Sequence, residues 1–138
     1  MRILGIDYGT KRLGLAISDD KETMALPYLV IETEKAEQQI SQIRHIVESE
    51  RIGKIVIGLP YKHDDTIGRR AENVLSFAEE LKKNLSIPIE TYDERLTTVQ
   101  SQELLRDVKS SREKKRRNIN AVAAQLILQG YLDEKVKL

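Results

Sequence analysis

The residues with the most chemistry to offer are carboxylates set where apolar runs stop. Asp7 ends the run 3–6, and Asp93 and Glu94 end the run 87–92. Acids gathered at one edge repel, and a divalent cation relieves that repulsion. Hard oxygen donors without His or Cys select magnesium or manganese over zinc. A pair of such ions about 3.5–4 Å apart can activate water and stabilise the leaving oxygen in phosphodiester hydrolysis. Each acid also has a plain structural use. Asp7 suits a turn that caps backbone amides, and Glu94 suits a partner for Arg95 or a helix first-turn acid. Only convergence of the two favours the metal site.

The elements between these acids decide whether they converge. Runs 3–6 and 13–17 are short and rich in Ile and Leu, which suits buried strands, and Gly9, Thr10 and Lys11 supply a tight hairpin connection. A third strand is expected over 28–33, preceded by Pro27. Residues 34–51 carry Ala36, Ile40, Ile43, Ile46 and Val47 on one helical stripe, and 70–85 carry Ala71, Val74, Leu75, Ala78 and Leu81. Residues 54–59 form a β-branched strand stopped by Pro60. Thr97 with Gln100 fits a capping box, so a helix is expected to start there. Residues 119–132 form the most apolar helix, with Ile119, Val122, Ala123, Leu126 and Ile127 inward and Ala121, Ala123 and Ala124 small enough for close approach to a sheet. Strand-helix-strand crossovers make strands 54–59 and 87–92 parallel. If the first strand runs the same way, Asp7, Pro60, Asp93 and Glu94 leave the sheet at one carboxyl edge, where open α/β sheets bind ligands.

Composition narrows the classes. A chain of 138 residues, 40% hydrophobic, is one domain by length with enough apolar residues for a core. It lacks cysteine, which excludes disulfides and thiolate metal sites, and it lacks any run that could span a bilayer. A cytoplasmic protein that meets no membrane is the simplest expectation. The 23 basic and 22 acidic side chains nearly cancel. Their distribution is more telling, because 109–117 holds six basic residues and one acid. Such a stripe can hold phosphate, or it can be a solvated loop or helix start. His45 lies off its helical stripe and His63 in a polar loop, so both are expected at the surface. Tyr8 could stack on a base, although packing at the hairpin is its commoner use.

Gly5-Ile-Asp-Tyr-Gly-Thr10 also resembles the first phosphate loop of actin-like ATPases and sugar kinases. Those need two such subdomains, and this length supplies one. A closer likeness covers nearly the whole chain. Residues 5–19, Val56-Ile-Gly-Leu-Pro60, Asp93-Glu-Arg-Leu-Thr-Thr98, Ile119-Asn-Ala-Val-Ala-Ala124 and 127–132 together resemble the YqgF/RuvX family of RNase H-like nucleases. The resemblance implies an α/β fold over 1–138, with a mixed five-stranded sheet of three antiparallel then two parallel strands, flanked by helices. It implies an endonuclease that processes the end of precursor 16S ribosomal RNA, with Holliday junction resolution in DNA as the alternative. The latter would require a homodimer with two sites on opposed strands.

By position, the resemblance makes Asp7 and Glu94 metal ligands for Mg2+ or Mn2+, with Asp93 as a substitute. Lys11, Arg12, Arg95, Arg112, Lys114, Lys115, Arg116 and Arg117 would contact nucleic acid. The third catalytic position departs from the family pattern, which reads Ile-Asp where this chain reads Ile119-Asn120. An Asn oxygen ligates a cation but brings no charge, which weakens a site built for two ions. A nucleic-acid-binding or ribosome-assembly factor with a degenerate site is therefore a further alternative. At Asp65 the family often has Gly, a change that turn geometry tolerates.

Overall fold

The computed structural model describes residues 1–60, 68–94 and 116–136. The strands are β1 (Arg2–Tyr8), β2 (Arg12–Ser18), β3 (Ala25–Glu32), β4 (Ile52–Leu59) and β5 (Ile89–Asp93). The helices are α1 (Ala36–Ser49), α2 (Arg69–Asn84) and α3 (Arg116–Val136). The five strands lie in the order β3-β2-β1-β4-β5. The β1–β2 and β2–β3 pairs are antiparallel, and the β1–β4 and β4–β5 pairs are parallel. The mixed five-stranded sheet flanked by helices is the expected one, and β1, β4 and β5 end at one edge. The expected capping box at Thr97 and Gln100, His63 and Asp65 lie outside the described residues. No helix among the described residues is long and apolar enough to cross a membrane.

Strand alternation gives the sheet two unlike faces. Leu4, Ile6, Leu13, Leu15, Ile55 and Ile57 point to one face and pack with Ile43 of α1 and Phe77 and Leu81 of α2. The opposite face is paved with Gly5, Gly14, Ala16, Val56 and Gly58, and α3 lies against it through Ala124, Ile127 and Leu128. A Cβ on Gly5 would stand 2.8 Å from Leu128 Cβ. The small residues thus let α3 sit deep against the sheet.

Several sequence expectations need correction. In α3 the buried positions are Ala121, Ala124, Leu126, Ile127, Leu128 and Leu132, whereas Ile119, Val122 and Ala123 are only half-buried. The helix is rotated toward its small residues because glycines open the sheet beneath them. In α1, Ala36 is exposed and Gln39 is buried. The Gln39 amide donates to the Thr33 carbonyl at 2.8 Å and to that of Thr10 at 3.5 Å, so its burial carries no unmet polar group. In α2, Leu75 is exposed and Phe77 packs inward. Strand β3 begins at Ala25, and Pro27 lies within it at the sheet edge. Its missing N–H costs nothing there, and Tyr28 is the extra residue where the register shifts between Leu15 and Ala16.

Candidate active site

Asp7 occupies the penultimate position of β1, directly opposite Gly14 of β2. Opposed residues in an antiparallel pair share a face. A Cβ on Gly14 would overlap the main-chain carbonyl of Asn120 and stand 2.9 Å from the Ala121 nitrogen. Asp7 and the early part of α3 are therefore on the same side of the sheet.

Glu94 follows β5 and reaches this face by a different route. A Cβ on Gly58 would lie 2.7 Å from Glu94 Oε1 and 3.1 Å from its Cγ, with Ile127 Cδ1 at 2.5 Å. The Glu94 side chain thus lies over Gly58, beside Ile127 of α3. The parallel pairing of Ile6 with Ile57, carried one residue on, sets Asp7 beside Gly58. Asp7, Glu94 and Asn120 accordingly gather at the carboxyl edge, all three half-buried.

Asp93 is not part of this gathering. It pairs with Leu59, whose side chain belongs to the core under α1 and α2, while Tyr92 belongs to the core under α3. Alternation puts Asp93 on the face opposite Asp7. Adjacent carboxylates in the sequence are separated by the sheet.

The donors at this edge are all oxygen, two carboxylates and one amide, and that chemistry fits a hard divalent cation. Among the described residues, no three of His, Cys, Asp and Glu come together as a possible metal site. The third donor is neutral.

A groove of about 670 Å³ opens beside Asn120 and is bounded by Thr10, Lys11, Arg12, Glu32 and Glu34. Lys11 Nζ stands 3.9 Å from Glu34 Oε1, and Arg12 Nε stands 3.9 Å from Glu32 Oε1. Both pairs are exposed and long, so solvent and salt screen them and either cation can turn to another anion. Tyr8 packs its ring 4.5 Å from that of Phe77, and burial pushes its hydroxyl pKa up. His45 is exposed, as expected. Of the basic residues expected to meet nucleic acid, Arg95, Arg112, Lys114 and Lys115 lie outside the described residues. Arg116 and Arg117 open α3, with their side chains outside the described part.

Sequence reasoning overlooked the two glycines that seat the site. Gly14 and Gly58 interrupt apolar strand patterns, and a glycine in a strand marks a close approach of another group. That signal was available.

The chain is similar to known proteins along nearly its whole length. The model of a family described as "RuvX: Holliday junction resolvase" matches residues 1–134. A protein of Clostridium acetobutylicum named "Putative pre-16S rRNA nuclease" is 41% identical over 133 residues, covering 96% of this chain and 98% of its own. One of the same name from Halothermothrix orenii is 38% identical over 138 residues, covering 100% and 99%. Among solved structures, Thermus thermophilus RuvC in complex with a Holliday junction substrate aligns with a TM-score of 0.65 at 14% identity, covering 98% of this chain and 96% of its own. The fowlpox virus resolvase bound to Holliday junction DNA aligns at 0.57 with 11% identity, covering 99% of each chain. At these identities the structural likeness concerns the fold.

Proposed function

The chain belongs to the RuvX family of nucleases, and from that premise we propose that it is a divalent-metal-dependent endonuclease acting on precursor 16S ribosomal RNA. The observation that carries this reading is the convergence of Asp7 and Glu94, 87 positions apart by their numbers (94 − 7), on one sheet edge beside Asn120. The substrate class comes from the names of the curated relatives. Processing of that RNA belongs to ribosome assembly, which sets the reading in the cytoplasm.

In this reading Asp7 and Glu94 hold the cation with their carboxylates and Asn120 with its amide oxygen. Magnesium and manganese both suit that donor set. The bound ion supplies Lewis-acid activation of the water nucleophile and of the phosphoryl oxygen. Lys11 and Arg12 neutralise phosphates of the strand that enters the adjoining groove, exchanging their loose contacts to Glu34 and Glu32 for tighter ones. Strand β1 carries Asp7, and the bare surface of Gly58 leaves room for the Glu94 side chain beside it.

Asn120 supports a second reading, a nucleic-acid-binding assembly factor with little or no cleavage. The family description supports a third, resolution of four-way DNA junctions by a homodimer. One cleavage panel separates them. Precursor 16S RNA, single-stranded RNA and a four-way DNA junction are each incubated with magnesium or manganese. Cleavage at a defined position of the precursor supports the first reading, and paired nicks in the junction support the third. Binding without cleavage of any substrate supports the second.

A further inference from the structure

The hairpin turn between β1 and β2 separates two grooves. Beyond the one beside Asn120, a second of about 380 Å³ runs between the turn and the start of α2, bounded by Tyr8, Gly9, Thr10, Arg69, Arg70 and Asn73. Gly9 and Thr10 line both, so the turn is a shared wall.

The two grooves differ in charge. Lys11 and Arg12 each have a carboxylate within 4 Å. Arg69 and Arg70 are both exposed, and among the described residues neither guanidinium has a carboxylate or other hydrogen-bond partner. Glu72, the acid of the first turn of α2, does not line the groove. Two guanidiniums without a carboxylate partner among the described residues, beside a hydroxyl and a carboxamide, form a set of donors whose natural complement is an anion with several acceptor oxygens. Arginine is suited to phosphate because its planar fork can donate two parallel hydrogen bonds.

We propose that this second groove holds a backbone phosphodiester of the nucleic-acid substrate, through Arg69 and Arg70 with Asn73 and Thr10, so that the strand crosses the β1–β2 turn. The proposal rests on the nuclease reading above, and it adds a contact surface outside the metal edge. A strand lying across the turn contacts cations on both sides, and the turn fixes its path relative to Asp7. Phosphate contacts of this kind set register and affinity without reading sequence.

The test measures binding of the full chain to a labelled RNA hairpin and to a labelled four-way DNA junction by fluorescence anisotropy. Divalent ions are left out so that binding is read apart from cleavage. The double variant Arg69→Ala, Arg70→Ala should weaken binding at least about tenfold and lower the slope of log affinity against log salt by about 1 to 2. Equal loss on both probes identifies a contact common to RNA and DNA, and loss on one alone identifies its source; either supports the proposal. Arg69→Lys, Arg70→Lys keeps the charge and should retain most of the salt slope. It serves as the folded comparison, alongside melting curves.

Unchanged affinity and slope in the alanine double variant overturns the proposal, and so does a wild-type chain that binds neither probe. Cleavage by the same proteins keeps the two readings apart. If wild type and the alanine variant cut and bind precursor RNA equally well, the groove proposal falls and the nuclease stands. If the variant loses binding while wild type cuts nothing, the groove stands and the nuclease falls.

Discussion

The main-chain carbonyl of Asn120 stands against the Cα of Gly14, across the hairpin from Asp7. Helix α3 is thereby held at a depth that admits no side chain at residue 14. Gly14→Ala puts a methyl group into backbone, which cannot swing aside as a side chain would. Overpacking costs about 1–3 kcal/mol, and the upper part of that range is expected here. Urea unfolding measures the loss. Because α3 must lift, cleavage should fall further than stability alone explains, even under conditions where the variant is folded.

Gly58→Ala probes the other seat. Its new Cβ would meet Glu94 Oε1 at 2.7 Å and Ile127 Cδ1 at 2.5 Å, both on side chains that can shift. The expected cost is about 1 kcal/mol, at the low end for overpacking. The displaced carboxylate should weaken manganese binding severalfold, read by calorimetric titration. A fall in stability with unchanged metal affinity would remove Glu94 from the ligand set.

Asn120→Asp adds an anion beside Asp7 and Glu94. Metal affinity should rise by about tenfold or more, because ligand charge tunes such sites. Without metal, three neighbouring carboxylates repel, so the variant should melt below wild type in chelator and recover when manganese is added. Unchanged affinity would show that the Asn120 side chain is not a ligand.

These three sites show what the sequence could and could not convey. The parallel run of 54–59 and 87–92 was legible because strand-helix-strand crossovers impose it, and the mixed five-stranded sheet followed from the family resemblance. The carboxyl edge followed from strand direction. The choice between Asp93 and Glu94 was not legible, since neighbouring acids at a strand end differ only in the face they take. The pairing of Asp93 with Leu59 fixes its face, and Glu94, one residue on, lays its side chain over Gly58. The inward set of α3 was misread for a related reason. Helical period allows several apolar stripes, and the glycines of a distant sheet selected the one through Ala121 and Ala124. That Arg69 and Arg70 meet no carboxylate among the described residues is a tertiary property that no local pattern carries.

The β2–β3 turn supplies a pH-dependent prediction. Asp19 accepts hydrogen bonds from Thr23 Oγ1 at 2.7 Å, Thr23 N at 2.8 Å and Met24 N at 3.2 Å. Foremost among these, the Thr23 hydroxyl holds the Asp19 carboxyl below its usual pKa. A carboxylate depressed in the folded state contributes stability above its unfolded pKa, about 3.9, and loses it as pH falls through the lower folded value. Thr23→Ala should therefore melt below wild type near neutral pH. The gap should close as pH drops below the ordinary carboxylate range. A gap that is constant with pH would assign the effect to something other than this carboxylate.

The central claim is that Asp7 anchors the cation that drives phosphodiester cleavage, and its isosteric neutral variant addresses that claim most directly. Cleavage of precursor 16S RNA by Asp7→Asn and wild type is compared under single-turnover conditions with saturating magnesium or manganese, alongside affinity for the same RNA. Asp7→Asn is expected to lose cleavage by about a thousandfold, on the order of 4 kcal/mol of barrier, while affinity for RNA stays within severalfold. Wild-type cleavage rates in Asp7→Asn would contradict it.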